Sequence, residues 1–441
     1  MAGCLLLFLS NRNSFLGKDF QMLNRAVSFF IPAILVNLLI FAGPFFANAF
    51  YQDDASLKTL MVYNFVTGNE AVKNKIIEVL KNKENAKKII ESAQKLTPAD
   101  SKKLNGNAYW FLARVAQELL ENDAAVDFYS KFLIDAKNLG SGQKMASAYG
   151  PLIQILFDTR KYKECEKLCS EFLDITLEDE AAFIPILRLK PVVFRRMVLC
   201  QSRLGEVDKA IERVEKLYKD QPDNWLNLEL KARILREAGR IADAEKSYQD
   251  LIVKIDSDKR LGKEEKEEFL EEIKYTLSNV YVELKKIDKA AEILKALVEK
   301  NPDNPTYHND LGYIWADNDL NLDEAEKLIR RAIEIERGLR KKIKNLKPEF
   351  DKDNSAYLDS LAWVLYKKKN YVEAKKLLVE AIKDEEGQHI EILDHLGDIH
   401  NALGEKTEAA KVWKDAINSA GTSKREQDKK KEVEKKIQKN K

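Results

Sequence analysis

The side chains best suited to hold a metal or move a proton at neutral pH are four histidines, His308, His389, His395 and His400. The last two lie five residues apart, with Asp394 and Asp398 beside them. Two side chains share a helical face at spacings of three or four, and a spacing of five turns the rings more than a quarter turn apart. That geometry argues against a shared metal ion, and His400 reads as a packing residue. Cys165 and Cys169 are four apart, which puts both on the inner face of one predicted helix. Two readings stand for them: buried small apolar side chains, or an oxidised pairing with Cys200 on the next helix, which export would permit. The fourth cysteine, Cys4, lies upstream of a hydrophobic segment. The chain has no phosphate-cradling glycine loop, dinucleotide fingerprint or nucleophile elbow. Paired acids abound because 33% of residues are charged, but none stands in a visibly apolar setting that would raise a pKa. The expectation is a protein that is not an enzyme and has no metal and no cofactor.

The elements that must position these residues are helical. Hydrophobic content is 45%, and the 33% charged fraction nets only +2. Intermixed Lys and Glu at that density fit solvated helix faces carrying i,i+4 pairs. The near balance gives no argument for nucleic acid as a partner. With 17 Gly and 10 Pro in 441 residues, a turn-rich all-β fold is disfavoured, and the expected class is all-α.

Residues 29–50 form an uncharged apolar stretch long enough to span a bilayer. It ends in Ala47-Asn48-Ala49 after a Gly43-Pro44 break, a small-x-small pattern of the kind signal peptidase cuts. Arg25 supplies the preceding positive charge, and Met22 begins a unit that would serve as a signal peptide by itself. Residues 1–49 are therefore read as a signal peptide or membrane anchor with its true start at Met22. Membrane association through residues 26–49 follows if the segment is retained. Either way the rest of the chain is expected to be exported, in a bacterial periplasm or associated with the envelope.

A repeat runs through the remainder. Residues 357–382 and 392–417 each read as an amphipathic helix, a short turn and a second amphipathic helix. A small residue sits midway along each first helix (Ala362, Gly397), and others mark the packed face of each second helix (Ala374 and Ala381, Ala409 and Ala416). Two helices cross tightly only where a side chain is nearly absent, so these positions mark helix crossings. The pattern recurs upstream at Gly312 with Ala325 and Ala332, Ser278 with Ala290, and Ala232 with Ala244. It recurs again at Val198 with Ala210 and Ala113 with Ala125, and in a weaker unit from Ile153 to Cys165 where cysteine replaces alanine. The step is 34 from Val198 to Ala232 and from Ser278 to Gly312, across the linkers QPDN and NPDN, whose Pro and Asp/Asn stop one helix and cap the next.

These residues and spacings resemble the tetratricopeptide repeat (TPR) family, and the last three units look most like those of exported TPR proteins of Gram-negative bacteria. The resemblance implies a TPR-type α-solenoid of about eight helical hairpins over residues 106–420. Residues 50–105 are read as an N-terminal helical cap or degenerate repeat. Residues 421–441 are read as a polar, Lys-rich helix covering the last apolar face. It also implies that another protein or peptide segment is bound in a concave groove lined by the first helix of each hairpin. Nothing here specifies an oligomeric state.

Continuing the packing pattern, groove positions fall three residues before, one after and four after each small residue. In the middle repeats this selects Arg195, Leu199, Ser202, Glu229, Arg233 and Arg236, with Arg196 and Arg203 adjacent. Toward the C-terminus it selects Asn309, Tyr313, Asp359, Trp363, Tyr366, Asp394, Asp398 and Asn401. The arginines are expected to clamp an acidic group through forked hydrogen bonds. Tyr313, Trp363 and Tyr366 are expected as anchors beside an acidic wall of Asp359, Asp394 and Asp398. An aromatic and acidic groove also suits an envelope polysaccharide or peptidoglycan, the alternative ligand class. The basic run from Arg337 to Lys347 reads either as a solvated helix extension or as a contact with an anionic membrane.

Overall fold

A computed structural model describes residues 78–101, 104–347, 350–421 and 424–440. The readings on residues 1–77, including the signal or anchor segment and Cys4, lie outside the described residues. The described chain is helical and divides into two compact units, the first ending at Ser247 and the second beginning at Tyr248. No helix among the described residues is long and apolar enough to cross a membrane.

In the first unit, α1 (Lys83–Gln94) packs against α2 (Gly106–Glu118) through buried Ala86, Ile89, Ile90 and Ala93. Three hairpins follow: α2 with α3 (Asn122–Asn138), α4 (Gly142–Asp158) with α5 (Tyr162–Leu173), and α6 (Glu180–Arg203) with α7 (Val207–Asp220). A fourth begins with α8 (Leu226–Glu237) and turns into α9 (Ile241–Ser257), within which the division between the units falls. The second unit continues with α10 (Lys263–Glu283) and α11 (Ile287–Lys300), α12 (Pro305–Asp317) and α13 (Leu322–Arg340), α14 (Ser355–Lys367) and α15 (Tyr371–Ala381), and α16 (Ile390–Ala402) and α17 (Lys406–Asn418). A last helix, α18 (Lys424–Lys439), follows the eighth hairpin.

One device makes all eight turns. A residue in the left-handed region follows each first helix: Leu120, Arg160, Gly205, Gly239, Lys285, Asp319, Lys369 and Gly404, with φ between 56° and 89°. The next residue donates its backbone N–H to the carbonyl five residues back, as in Glu121 to Ala116 and Glu405 to His400, at 2.8–2.9 Å in all eight. This is the Schellman closure, which satisfies carbonyls that a helix end leaves orphaned. The α3–α4 linker repeats this closure at Gly140, with Ser141 donating to the Ala136 carbonyl at 3.1 Å, whereas three other linkers use side-chain caps. Asn224 accepts from the N–H of Leu226, Asn304 from Thr306 and Asn354 from Ala356.

The small residues lie at the crossings. Ala113, Ala232 and Ala362 on first helices are fully buried, as are Ala125, Ala210, Ala244, Ala290, Ala325, Ala374 and Ala409 on second helices. Cys165 takes that place in α5. A Cβ at Gly312 would lie 2.6 Å from Ile329 and 2.8 Å from the Ala325 carbonyl oxygen; one at Gly397 would lie 2.3 Å from the Trp413 indole. Glycine at these two positions is therefore a packing requirement. Three helices are longer than the rest: α6 has 24 residues, α10 has 21 and α13 has 19.

Cys165, Cys169 and Cys200 are free and buried. Cys165 donates to the Ile153 carbonyl at 3.4 Å. A hydrogen bond with Cys169, together with burial, pushes its thiol up to about 12, so at neutral pH it is a protonated packing group.

Candidate functional site

The face predicted to bind is the row of first helices in each unit. What the sequence pattern leaves out is that polar bonds link one first helix to the next. In the first unit Arg196 of α6 donates to Gln154 of α4 at 2.6 Å. Arg195 of α6 meets Glu229 of α8 at 2.7 Å, and Arg203 meets Glu237 at 3.2 Å. In the second unit Tyr275 of α10 donates to Asp310 of α12 at 2.7 Å, and Tyr307 of α12 donates back to Glu271 at 2.9 Å. Trp363 of α14 donates to Asp317 of α12 at 3.3 Å, and His395 of α16 pairs with Asp359 of α14 at 2.8 Å. The stacking repeat sets these separations: residues one repeat apart land side by side.

Each predicted residue can now be placed. In the first unit Arg195 and Arg203 are committed to Glu229 and Glu237, and Arg233 bonds Glu237 at 3.1 Å from within its own helix. Burial would raise the Glu237 carboxyl, but Arg233 and Arg203 outweigh it and hold it below its ordinary value. Arg203 also lies over the Phe157 and Tyr162 rings at 4.5 and 5.4 Å and donates to the Tyr162 hydroxyl. Arg196 is buried with its guanidinium 4.0 Å from the centre of the Phe157 ring, and burial lowers its pKa. Arg236 is half-buried. The predicted clamp is thus a cross-linked set in which arginines outnumber their glutamates, rather than a row of open cations.

In the second unit Tyr313 is buried at 6% exposure, and Asp359 and Asp394 are fully buried. These three are withdrawn from solvent and do not form the surface anchor and acidic wall expected from the pattern. The physical reason is that the neighbouring first helix packs on this face: α14 packs on α12, which carries Tyr313, and His395 of α16 lies on Asp359. At the C-terminal end α18 does the covering. Lys436 of α18 reaches both oxygens of Asp394 at 2.7 and 2.8 Å and both oxygens of Asp398 at 2.9 and 2.7 Å. Lys429 adds a contact to Asp394 at 2.7 Å. Burial raises the Asp394 carboxyl, but Lys429 and Lys436 outweigh it and hold the group below its usual range. Asp398 goes the other way: burial and the charge of Asp394 raise it.

Trp363 and Tyr366 remain half-buried on α14. Their rings stack at 5.0 Å and 5°, the Trp363 ring stacks on His395 at 4.1 Å and 15°, and Tyr371 closes on Tyr366 at 5.4 Å. The result is an aromatic shelf spanning α14 and α16. Sequence reasoning missed its third ring, His395, and the lysines of α18. The clue to His395 is the period itself: it follows Asp359 by 36 residues, close to the step of the repeat. His400 bonds Glu405, so the two histidines serve separate partners. Among the described residues, no group of three His, Cys, Asp or Glu side chains is arranged to hold a metal ion.

The tetratricopeptide repeat family model matches residues 201–259 and 275–338. A TPR repeat-containing protein of Pseudomonas aeruginosa is 26% identical over 197 residues, which is 44% of this chain and 28% of that protein. The match therefore spans little more than a quarter of the relative's length. Among solved structures, a tetratricopeptide repeat protein from Parabacteroides merdae aligns with a TM-score of 0.45 at 15% identity, covering 66% of this chain and 98% of its own. A thermophilic TPR protein from Thermus thermophilus aligns at 0.36 and 16% identity, covering 47% and 98%.

Proposed function

From the premise that this chain is a tetratricopeptide-repeat protein, we propose that it is an exported interaction scaffold which holds a segment of a partner protein against its row of first helices, in the periplasm or at the cell envelope. It works by binding, without catalysis. The observation that carries this reading is the aromatic shelf of Trp363, Tyr366 and His395. The first helix α14 presents two half-buried aromatic rings, Trp363 and Tyr366, backed by the buried His395 of α16, and aromatic residues dominate the energetics of protein recognition. The carboxylates around it are consumed by His395, Lys429 and Lys436, so a segment seated there is held by apolar and aromatic contact more than by charge. In the first unit the surplus of arginine over glutamate suits an acidic stretch of a partner.

An envelope glycan is the second reading, and the same shelf is its only support. Sugars stack on open aromatic faces, whereas two rings already stack on the Trp363 indole. A polypeptide segment needs no open indole face, so it is the better fit.

The test is affinity capture from native envelope extract. Tyr366→Ala, checked for wild-type helicity and melting, is expected to lower recovery of the partner about tenfold. In the same experiment Arg233→Ala/Arg236→Ala reports on the first unit. Wild-type recovery by both variants would reject the first-helix face as the binding surface.

A further inference from the structure

The corner after α13 differs from the other hairpin junctions. α13 has 19 residues where α11, α15 and α17 have 14, 11 and 13, and the chain then turns at Asn345 (φ 60°) before re-entering α14. Ion pairs lock its base. Asp353 accepts from Arg337 and Arg340, and Arg340 also meets Glu336 at 3.0 Å and Asp351 at 3.5 Å. The bond from Arg337 is the main cause that holds the Asp353 carboxyl down to about 2. The corner is therefore fixed in place by its arginines.

Its outer residues combine exposed apolar tips with exposed lysines. Leu339, Ile343 and Phe350 are 45%, 54% and 60% exposed. Lys341, Lys342 and Lys344 are exposed between them, with no carboxylate partner among the described residues. Three exposed lysines set among these apolar tips give the corner a basic rim. Single exposed apolar residues are ordinary, but a basic rim around several of them marks an interaction site. A corner of this length is too small for the roughly 800 Å² per partner that a stable protein interface buries. Adsorption to a bilayer has no such minimum, because each apolar tip enters the headgroup region independently and each lysine adds its own attraction to anionic lipid.

We propose that the corner formed by residues 339–347 and Phe350 docks onto the surface of a bilayer containing anionic phospholipid. Leu339, Ile343 and Phe350 enter the headgroup layer, and Lys341, Lys342 and Lys344 lie against lipid phosphates. Docking there would hold the second unit at the membrane surface whether or not the N-terminal segment is retained.

The experiment is vesicle sedimentation of the full chain, comparing phosphatidylcholine alone with phosphatidylcholine mixed with phosphatidylglycerol. An apolar N-terminal segment would bind both, so the readout is the excess partitioning to the anionic vesicles. Wild type should show that excess, falling with added salt. Lys341→Gln/Lys342→Gln/Lys344→Gln should reduce it by about fivefold per lysine, on the order of a hundredfold together. Ile343→Asp/Phe350→Asp should also reduce it. The control Lys431→Gln/Lys435→Gln/Lys439→Gln on α18 makes the same change in net charge and should keep most of it. Equal partitioning of wild type to the two compositions would overturn the proposal. So would an unchanged corner variant, a control triple that loses as much, or equal retention of the corner by DNA or an acidic polypeptide.

Discussion

Val433→Asp is expected to undock α18 and destabilise the last hairpin by about 3 kcal/mol or more. Val433 is fully buried in a cluster with Ile390, Leu393, Ala409, Trp413 and Ala416, and Ile437 packs at its edge. The helix that carries it is otherwise mostly Lys, Glu and other polar residues, so Val433 and Ile437 form its whole apolar stripe. A carboxylate at 433 must either lose its hydration in that cluster or lift the helix away. Lifting it exposes Trp413 and Leu393, now 2% and 3% exposed. Because a repeat array is stabilised between neighbours, the damage should stay local, with faster amide exchange in α16 to α18 and little change in α2 to α8. A variant that melts with wild type and keeps α18 protected would show that the helix is not the array's end cap.

Lys436→Gln is the second large effect, and it carries a pH dependence. One ammonium serves a buried carboxylate, Asp394, and a half-buried one, Asp398, four residues apart on α16. Its loss leaves Asp394 with Lys429 and leaves Asp398 beside a negative neighbour, at a cost of about 2 kcal/mol at pH 7. The two carboxyls have opposite signs in linkage. Asp394 is depressed, so its contribution is present above its unfolded pKa and is lost as pH falls through its lower folded value. Asp398 is raised, so its ionisation costs stability at neutral pH, and protonation removes that cost as pH falls through its folded value. Removing Lys436 raises Asp398 further. The difference between variant and wild type in denaturant melts should therefore be largest near neutrality and shrink on acidification. A penalty that stays constant or grows as pH falls would mean that Lys436 does not hold this pair.

The fold was legible because its determinants are local and repeated. Small residues at fixed offsets, such as Ala362 with Ala374 and Gly397 with Ala409, mark helix crossings, and Gly205, Gly239 and Gly404 mark three of the turns. The other five turns place Leu120, Arg160, Lys285, Asp319 and Lys369 in the left-handed region. No residue preference announces them; tertiary packing of the hairpin carries the strain. The site was legible only as a face. Offsets from the small residues select positions on the first helices, but they describe a single hairpin, and burial on this face is set by the next one. Asp359 lies beneath His395 and Asp394 beneath α18, contacts that a one-hairpin pattern does not contain. Trp363 is likewise part of the stacking between hairpins as well as part of the surface. The polarity of the tail is plain in the sequence, but its specific Lys429 and Lys436 contacts depend on three-dimensional register.

The central claim is that a partner is held on the first-helix face. It is tested most directly by placing a photoreactive amino acid at Tyr366 on α14, or at Val379 on α15, which is 42% exposed, and irradiating the protein in its native envelope. Adducts to a discrete partner from position 366, with none from position 379, are the predicted result. Adducts from position 379 alone would contradict the account.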